Sequence, residues 1–174
     1  MKLIPTIALT SLMLLVAAST PAAGAIITYN IALSGLQSVS PNGSTATGNA
    51  TVIVNDILNT VSVSLTFSGL TGGNPTAAHI HCCVAITANG PVVIPFTGFP
   101  TISPSGTYSN LFTGVSAANI AGIENGLAYI NIHNATFPGG EIRGDIVTPE
   151  PASLSLMGLG LLALLGARAR RSRR

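Results

Sequence analysis

From Thr60 to Ser68 the chain reads TVSVSLTFS, and every second residue is apolar. Val61, Val63, Leu65 and Phe67 fall on one side of an extended chain, while Ser62, Ser64, Thr66 and Ser68 fall on the other. A helix would spread these residues around its whole circumference, whereas a strand separates them cleanly. The same alternation runs through ITYNIALSGL and ATVIVND, and Asn55 to Asn59 makes the turn between two such strands. AAHIHCC, GPVVIPF, GTYSNLF, LAYINIHN and GEIRGDIV follow as further short strands punctuated by Gly, Pro and Asn. SAANIAGIENG is expected to add one helical turn. The pattern predicts one all-β, antiparallel domain, a sandwich or barrel, over residues 25–148. A chain of that length buries roughly two-thirds of its unfolded surface.

The solvent sides of these strands are Ser, Thr and Asn rather than Lys and Glu. Of seven Lys and Arg, only Arg143 lies within residues 25–148, against Asp56, Glu124, Glu141 and Asp145. A domain with a net charge of −3 and a single arginine has no electrostatic footprint for a polyphosphate backbone, which excludes nucleic acid as a partner. Asn42, Asn49 and Asn134 open N-x-[ST] triplets, which are read as chance occurrences.

The remaining positive charges mark the two ends. Residues 1–24 begin with Lys2, continue through an apolar run from Ile7 to Ala18 and finish in small residues. This is the layout of a secretory signal peptide, cleaved after Ala23, Gly24 or Ala25. A retained anchor is the alternative, and the short apolar run favours cleavage. At the other end, Ala152 to Ala167 would rise only about 24 Å as a helix, against a bilayer core of about 30 Å. Arg168, Arg170, Arg171, Arg173 and Arg174 would hold its end in the cytoplasm. The order Pro149-Glu150-Pro151, apolar helix, Arg-rich tail resembles the PEP-CTERM sorting signal of Gram-negative bacteria over residues 149–174. That resemblance implies an exosortase as partner, transient residence in the inner membrane, and delivery to the cell surface or extracellular matrix. Thr148 stands where the signal commonly has Val.

The densest chemistry lies in HIHCC, which holds two of three histidines and both cysteines. On a strand His79 and His81 share one face, with Cα atoms about 6.5–7 Å apart, a spacing at which two imidazoles can share a copper or zinc ion. His133 lies on the face of its strand that carries Tyr129 and Asn131, and joins them if the two strands are neighbours. Hydrogen-bonded imidazoles pinning the sheet are the competing reading and the one favoured from sequence. Cys82 and Cys83 would point to opposite faces of a regular strand. In an oxidising compartment three outcomes stay open: a vicinal disulfide, which ranks first, intermolecular crosslinks, or a thiolate that joins the histidines on a metal. Arg143 is expected to pair with Glu141 or Asp145, and FPGG before it to form a tight turn using Gly139 or Gly140.

AHIH with GPVV following, and YINIHNATFPGGEIRGDI, resemble the CHRD domain over roughly Ile27 to Val147. The resemblance implies an immunoglobulin-like sandwich similar to Cu,Zn superoxide dismutase, and no enzymatic activity. HIH is similar to the copper-ligand strand of those dismutases, but three histidines are too few for their site. The reading from sequence is therefore a non-enzymatic, exported module with a structural or adhesive role, requiring no cofactor, with exopolysaccharide or matrix proteins as partners. Copper or zinc binding through the His-x-His strand is the alternative.

Overall fold

The computed structural model describes residues 26–147, together with helical positions 157, 158, 160 and 161. Both the signal peptide expected over 1–24 and the sorting motif Pro149-Glu150-Pro151 lie outside the described residues. Among the described residues, no helix is long and apolar enough to cross a membrane.

Eight strands carry the fold: β1 (Ile26–Ser34), β2 (Thr47–Asn55), β3 (Thr60–Ser68), β4 (Pro75–Cys82), β5 (Val92–Pro95), β6 (Gly106–Phe112), β7 (Ala128–Asn134) and β8 (Ile142–Ile146). The chain is all-β and antiparallel, as the alternation requires. β1, β2 and β3 form a meander with unbroken register, from Ile26 opposite Asn55 to Thr47 opposite Ser68. The turn from β2 to β3 holds Asn59 at φ 52, in the left-handed region that Asn tolerates, and Asn55 Oδ1 accepts from the Leu58 N–H at 2.9 Å.

The architecture differs from a pair of separate sheets. All eight strands lie in one sheet, in the order β5-β4-β7-β8-β1-β2-β3-β6, nearly closed into a barrel. It nonetheless has two halves, because β1 and β8 share a single register pair, Ser34 with Arg143. The halves curl around one core. Tyr29, Val52, Val54, Val63 and Leu65 come from one half, and Ile80, Ile130, Ile132, Ile142 and Ile146 from the other. At the open side aromatic rings fill the gap between the edge strands. Phe96, just beyond β5, stacks on Tyr108 and Phe112 of β6 with centroids 5.0 and 5.8 Å apart.

SAANIAGIENG forms α1 (Ala117–Glu124), two turns where the sequence suggested one. Ser116 caps it by accepting the Asn119 N–H at 3.2 Å, and Ile120 and Ile123 bury against the core.

Candidate functional site

Period two gives β4 a core face of Ala78, Ile80 and Cys82 and an outer face of Ala77, His79 and His81. On β7 the outer face is Tyr129, Asn131 and His133, and on β8 it is Arg143 and Asp145. β4 and β7 are hydrogen-bonded neighbours, so these side chains form one polar patch. Asn131 lies directly opposite His79, Tyr129 opposite His81 and His133 opposite Ala77, which sets His133 on the diagonal from His79.

The structure therefore gathers all three histidines. Ring centroids are 5.1 Å apart for His79 and His133, 5.6 Å for His79 and His81, and 6.0 Å for His81 and His133. One nitrogen from each lies within 4.8 Å of the others. Two nitrogens bound at about 2.0–2.1 Å to one ion stand no more than about 4.2 Å apart, a little closer than the 4.8 Å limit seen here.

The tautomers are set by backbone. His81 Nδ1 lies 2.9 Å from Gly90 O, and His133 Nδ1 lies 2.9 Å from Pro138 O. A carbonyl can only accept, so each Nδ1 carries a proton, and in the neutral form of either ring the lone pair is on Nε2. Those two Nε2 atoms and His79 Nδ1 are buried without a hydrogen-bond partner. Two of the rings thus make the backbone bonds expected of pinning imidazoles, while each of the three also has one buried nitrogen without a partner among the described residues. A metal ligand histidine typically has this form, with one nitrogen donating to a backbone carbonyl and the other free for the ion.

The electrostatics point the same way. Burial lowers the His79 pKa, helped by the neighbouring charges of His133 and then His81. Burial also lowers that of His81, opposed by its bond to Gly90 and reinforced by His133 and Arg143. Both are held neutral, the state a metal needs. When the chain unfolds, these rings regain the ordinary affinity for protons. The unfolded state then binds more protons below about pH 6.5, and stability rises with pH through that window. Metal-free protein is expected to lose stability in urea as pH falls from about 7.5 to about 5. A smaller loss in His79→Gln/His81→Gln would confirm the source, and an identical loss would assign it elsewhere.

The patch is braced from one side by a stack. The Arg143 guanidinium carbon sits 3.5 Å from the Tyr129 ring centroid, and Tyr129 in turn stacks on His81 at 4.7 Å with planes 2° apart. Arg143 is 1% exposed and fully engaged: Nε donates to Asp145 at 2.8 Å, and the two terminal nitrogens donate to Ala88 O and Ile86 O. Of its two expected carboxylate partners it takes only Asp145. Glu141 is instead buried in a separate cradle, bonded by Ser44 Oγ, Thr71 N and Oγ1, Gly72 N and Asn134 Nδ2. Two of the N-x-[ST] triplets build that cradle. Asn42 ties Ser44 to the Glu141 carbonyl, and Thr136 bonds Gly72 O. Beside Asn131 and Arg143 a cavity of about 320 Å³ opens between Ser40, Asn42 and Phe137.

Cys82 and Cys83 are bonded to each other. Cys82 is buried and Cys83 exposed, with Cys83 at φ 100. The bridge removes both sulfurs as thiolate ligands, so the donor set is nitrogen alone. Of the FPGG turn, Gly140 is the residue at positive φ, 111°, where a Cβ would strike the Asn131 side chain.

Comparison with known proteins adds two findings. A family model described as the CHRD domain matches residues 29–146, and one described as the PEP-CTERM protein-sorting motif matches residues 147–171. No curated protein and no solved structure matches the chain.

Proposed function

The chain belongs to the CHRD domain family, and we propose that it is a copper- or zinc-binding protein of the cell surface, with His79, His81 and His133 as ligands. Its PEP-CTERM motif marks it as an exported exosortase substrate, anchored transiently in the membrane and then carried on the cell surface. Neither family is enzymatic, and the proposed role is binding rather than catalysis.

One observation carries the reading. Three histidines from two strands each bring one nitrogen within 4.8 Å of the others, and each ring has a buried nitrogen without a partner among the described residues. Neutral imidazoles without thiolate or carboxylate suit copper and zinc better than harder cations. Three protein ligands leave a fourth position of a zinc ion open, whereas copper(I) is satisfied by three. The sheet itself does not depend on these rings, because they lie on its outer face and the apolar core is on the other.

The test is metal content by mass spectrometry on protein recovered from a periplasm supplied with copper and zinc. Wild type is expected to hold close to one ion per chain, and His79→Ala/His81→Ala close to none, with unchanged circular dichroism. Equal, negligible metal in both proteins would overturn the proposal.

A further inference from the structure

The disulfide joins two cysteines that follow the histidine strand directly, and the segment it anchors is the one that orients the centre. Residues 83–91 run from the bridge to β5. Within them Gly90 O receives the His81 Nδ1 proton, Gly90 N–H donates to Tyr129 Oη at 3.0 Å, and the Ile86 and Ala88 carbonyls hold Arg143. At the ends of this segment Cys82 N–H donates to Pro91 O at 3.1 Å and Cys83 N–H donates to Leu127 O at 3.3 Å. From these contacts we infer that Cys82–Cys83 is a second chemical site, a reducible bridge that takes electrons from an external dithiol and sets how tightly the histidine centre holds its metal. The inference rests on the metal reading given above.

Three features fit this role. Cys83 is exposed while Cys82 is buried, so the bridge is approached from the Cys83 side. Cys83 is held at φ 100, a conformation that only glycine adopts freely. The surroundings also accept the reduced state. Cys82 Sγ lies 3.9 Å from Asn119 O, and Cys83 Sγ lies 4.0 Å from Ala118 O and 3.9 Å from Asn119 Oδ1. Disulfide sulfurs have no proton to give these oxygens, but thiols do. Gly122 makes the room, since a Cβ there would lie 2.4 Å from both sulfurs.

The chemistry balances with the dithiol as sole co-reactant. One of its thiolates attacks Cys83 Sγ, the S–S bond breaks, and Cys82 leaves as a thiolate that takes a proton. The second reagent thiol then closes on the first sulfur, releasing Cys83, which is protonated. Two electrons and two protons pass to the protein, and the reagent leaves as its cyclic disulfide. With the bridge open, Cys83 turns and the loop loosens. His81 then loses the carbonyl that fixes its ring. Loss of such an outer partner typically weakens metal binding 10–100-fold.

The test is zinc affinity of the full chain in detergent, measured against a competing chelator. Oxidised protein is compared with protein reduced by dithiothreitol and desalted without air, with the reoxidised sample, and with Cys82→Ser/Cys83→Ser. Expected are two titratable thiols after reduction, zinc binding about 10–100-fold weaker in the reduced and Ser forms, and recovery on reoxidation. Equal affinity in all forms would overturn the inference while leaving the metal centre standing. A bridge that stays closed to dithiothreitol in the folded protein would also overturn it. Absence of zinc binding in every form would sink the centre, and the inference with it.

Discussion

Arg143→Ala is expected to cost about 3–5 kcal/mol of stability, because it breaks a buried, fully bonded ion pair from one side. Arg143 is the sole cation among the described residues, and its side chain is 1% exposed. Its removal leaves the Asp145 carboxylate without a counter-charge and the Ile86 and Ala88 carbonyls without donors. It also uncovers the Tyr129 ring, which loses a cation–π contact. Arg143→Lys should recover only a small part of the loss. An ammonium can meet one or two of these acceptors but cannot lie flat on the ring while reaching all three. Chemical denaturation of wild type and the two variants decides the matter. A loss in Arg143→Ala below about 1 kcal/mol would mean that the stack is incidental, since exposed pairs have that value. On the proposed metal reading, the same variants should also lower metal affinity, because residues 83–91 lose two carbonyl contacts to the sheet.

Glu141→Ala should be the second severe variant, costing about 4 kcal/mol. Its carboxylate is fully buried, and its bonding partners are neutral donors. Burial alone would raise its pKa. Hydrogen bonds from Ser44, from the Thr71 hydroxyl and N–H, and from the Gly72 N–H outweigh that and bring it below its usual value. The pH dependence follows from that direction. In the unfolded chain Glu titrates near about pH 4.3, so on acidification the unfolded state takes up its proton first. The contribution of Glu141 is complete above that range and disappears as pH falls through the lowered native value. Wild type and Glu141→Gln should therefore differ most at neutral pH, with their stabilities converging in strong acid. Parallel curves down to about pH 2 would show that the charge of Glu141 is not what the cradle holds.

The strands themselves were legible because their signal is local. Val61 to Phe67 alternate whatever they pair with, and the β2–β3 turn is written in Asn55 and Asn59. The closure of the sheet was not, since it depends on β4 pairing with β7 and on one Ser34–Arg143 contact between residues over a hundred positions apart. The same division holds at the site. Period two placed His79 beside His81, and His133 on the face of Tyr129 and Asn131, but only the β4–β7 register brings the third ring to the first two. Glu141 shows the limit most clearly. Two residues from Arg143 along an extended chain, it shares its side of the strand and invites pairing. Its real partners arrive from Ser44 and Thr71, which resemble every other hydroxyl residue on this surface. Deeper burial of the Glu141 carboxylate, a property of the folded state, is what selects them.

Cys82, Ala128 and Ile146 stand in one row across β4, β7 and β8. The row places the cysteine bridge two strand spacings, about 10 Å, from the point where the chain leaves the sheet. Only Val147 and Thr148 separate Ile146 from Pro149, a span of at most about 11 Å. The bridge therefore lies at the end of the sheet from which the chain runs on into the sorting motif. Through that row of backbone pairing the last strand is tied to the strand that carries His79 and His81, so the end that leads to the sorting motif and the histidine patch share one continuous stretch of sheet.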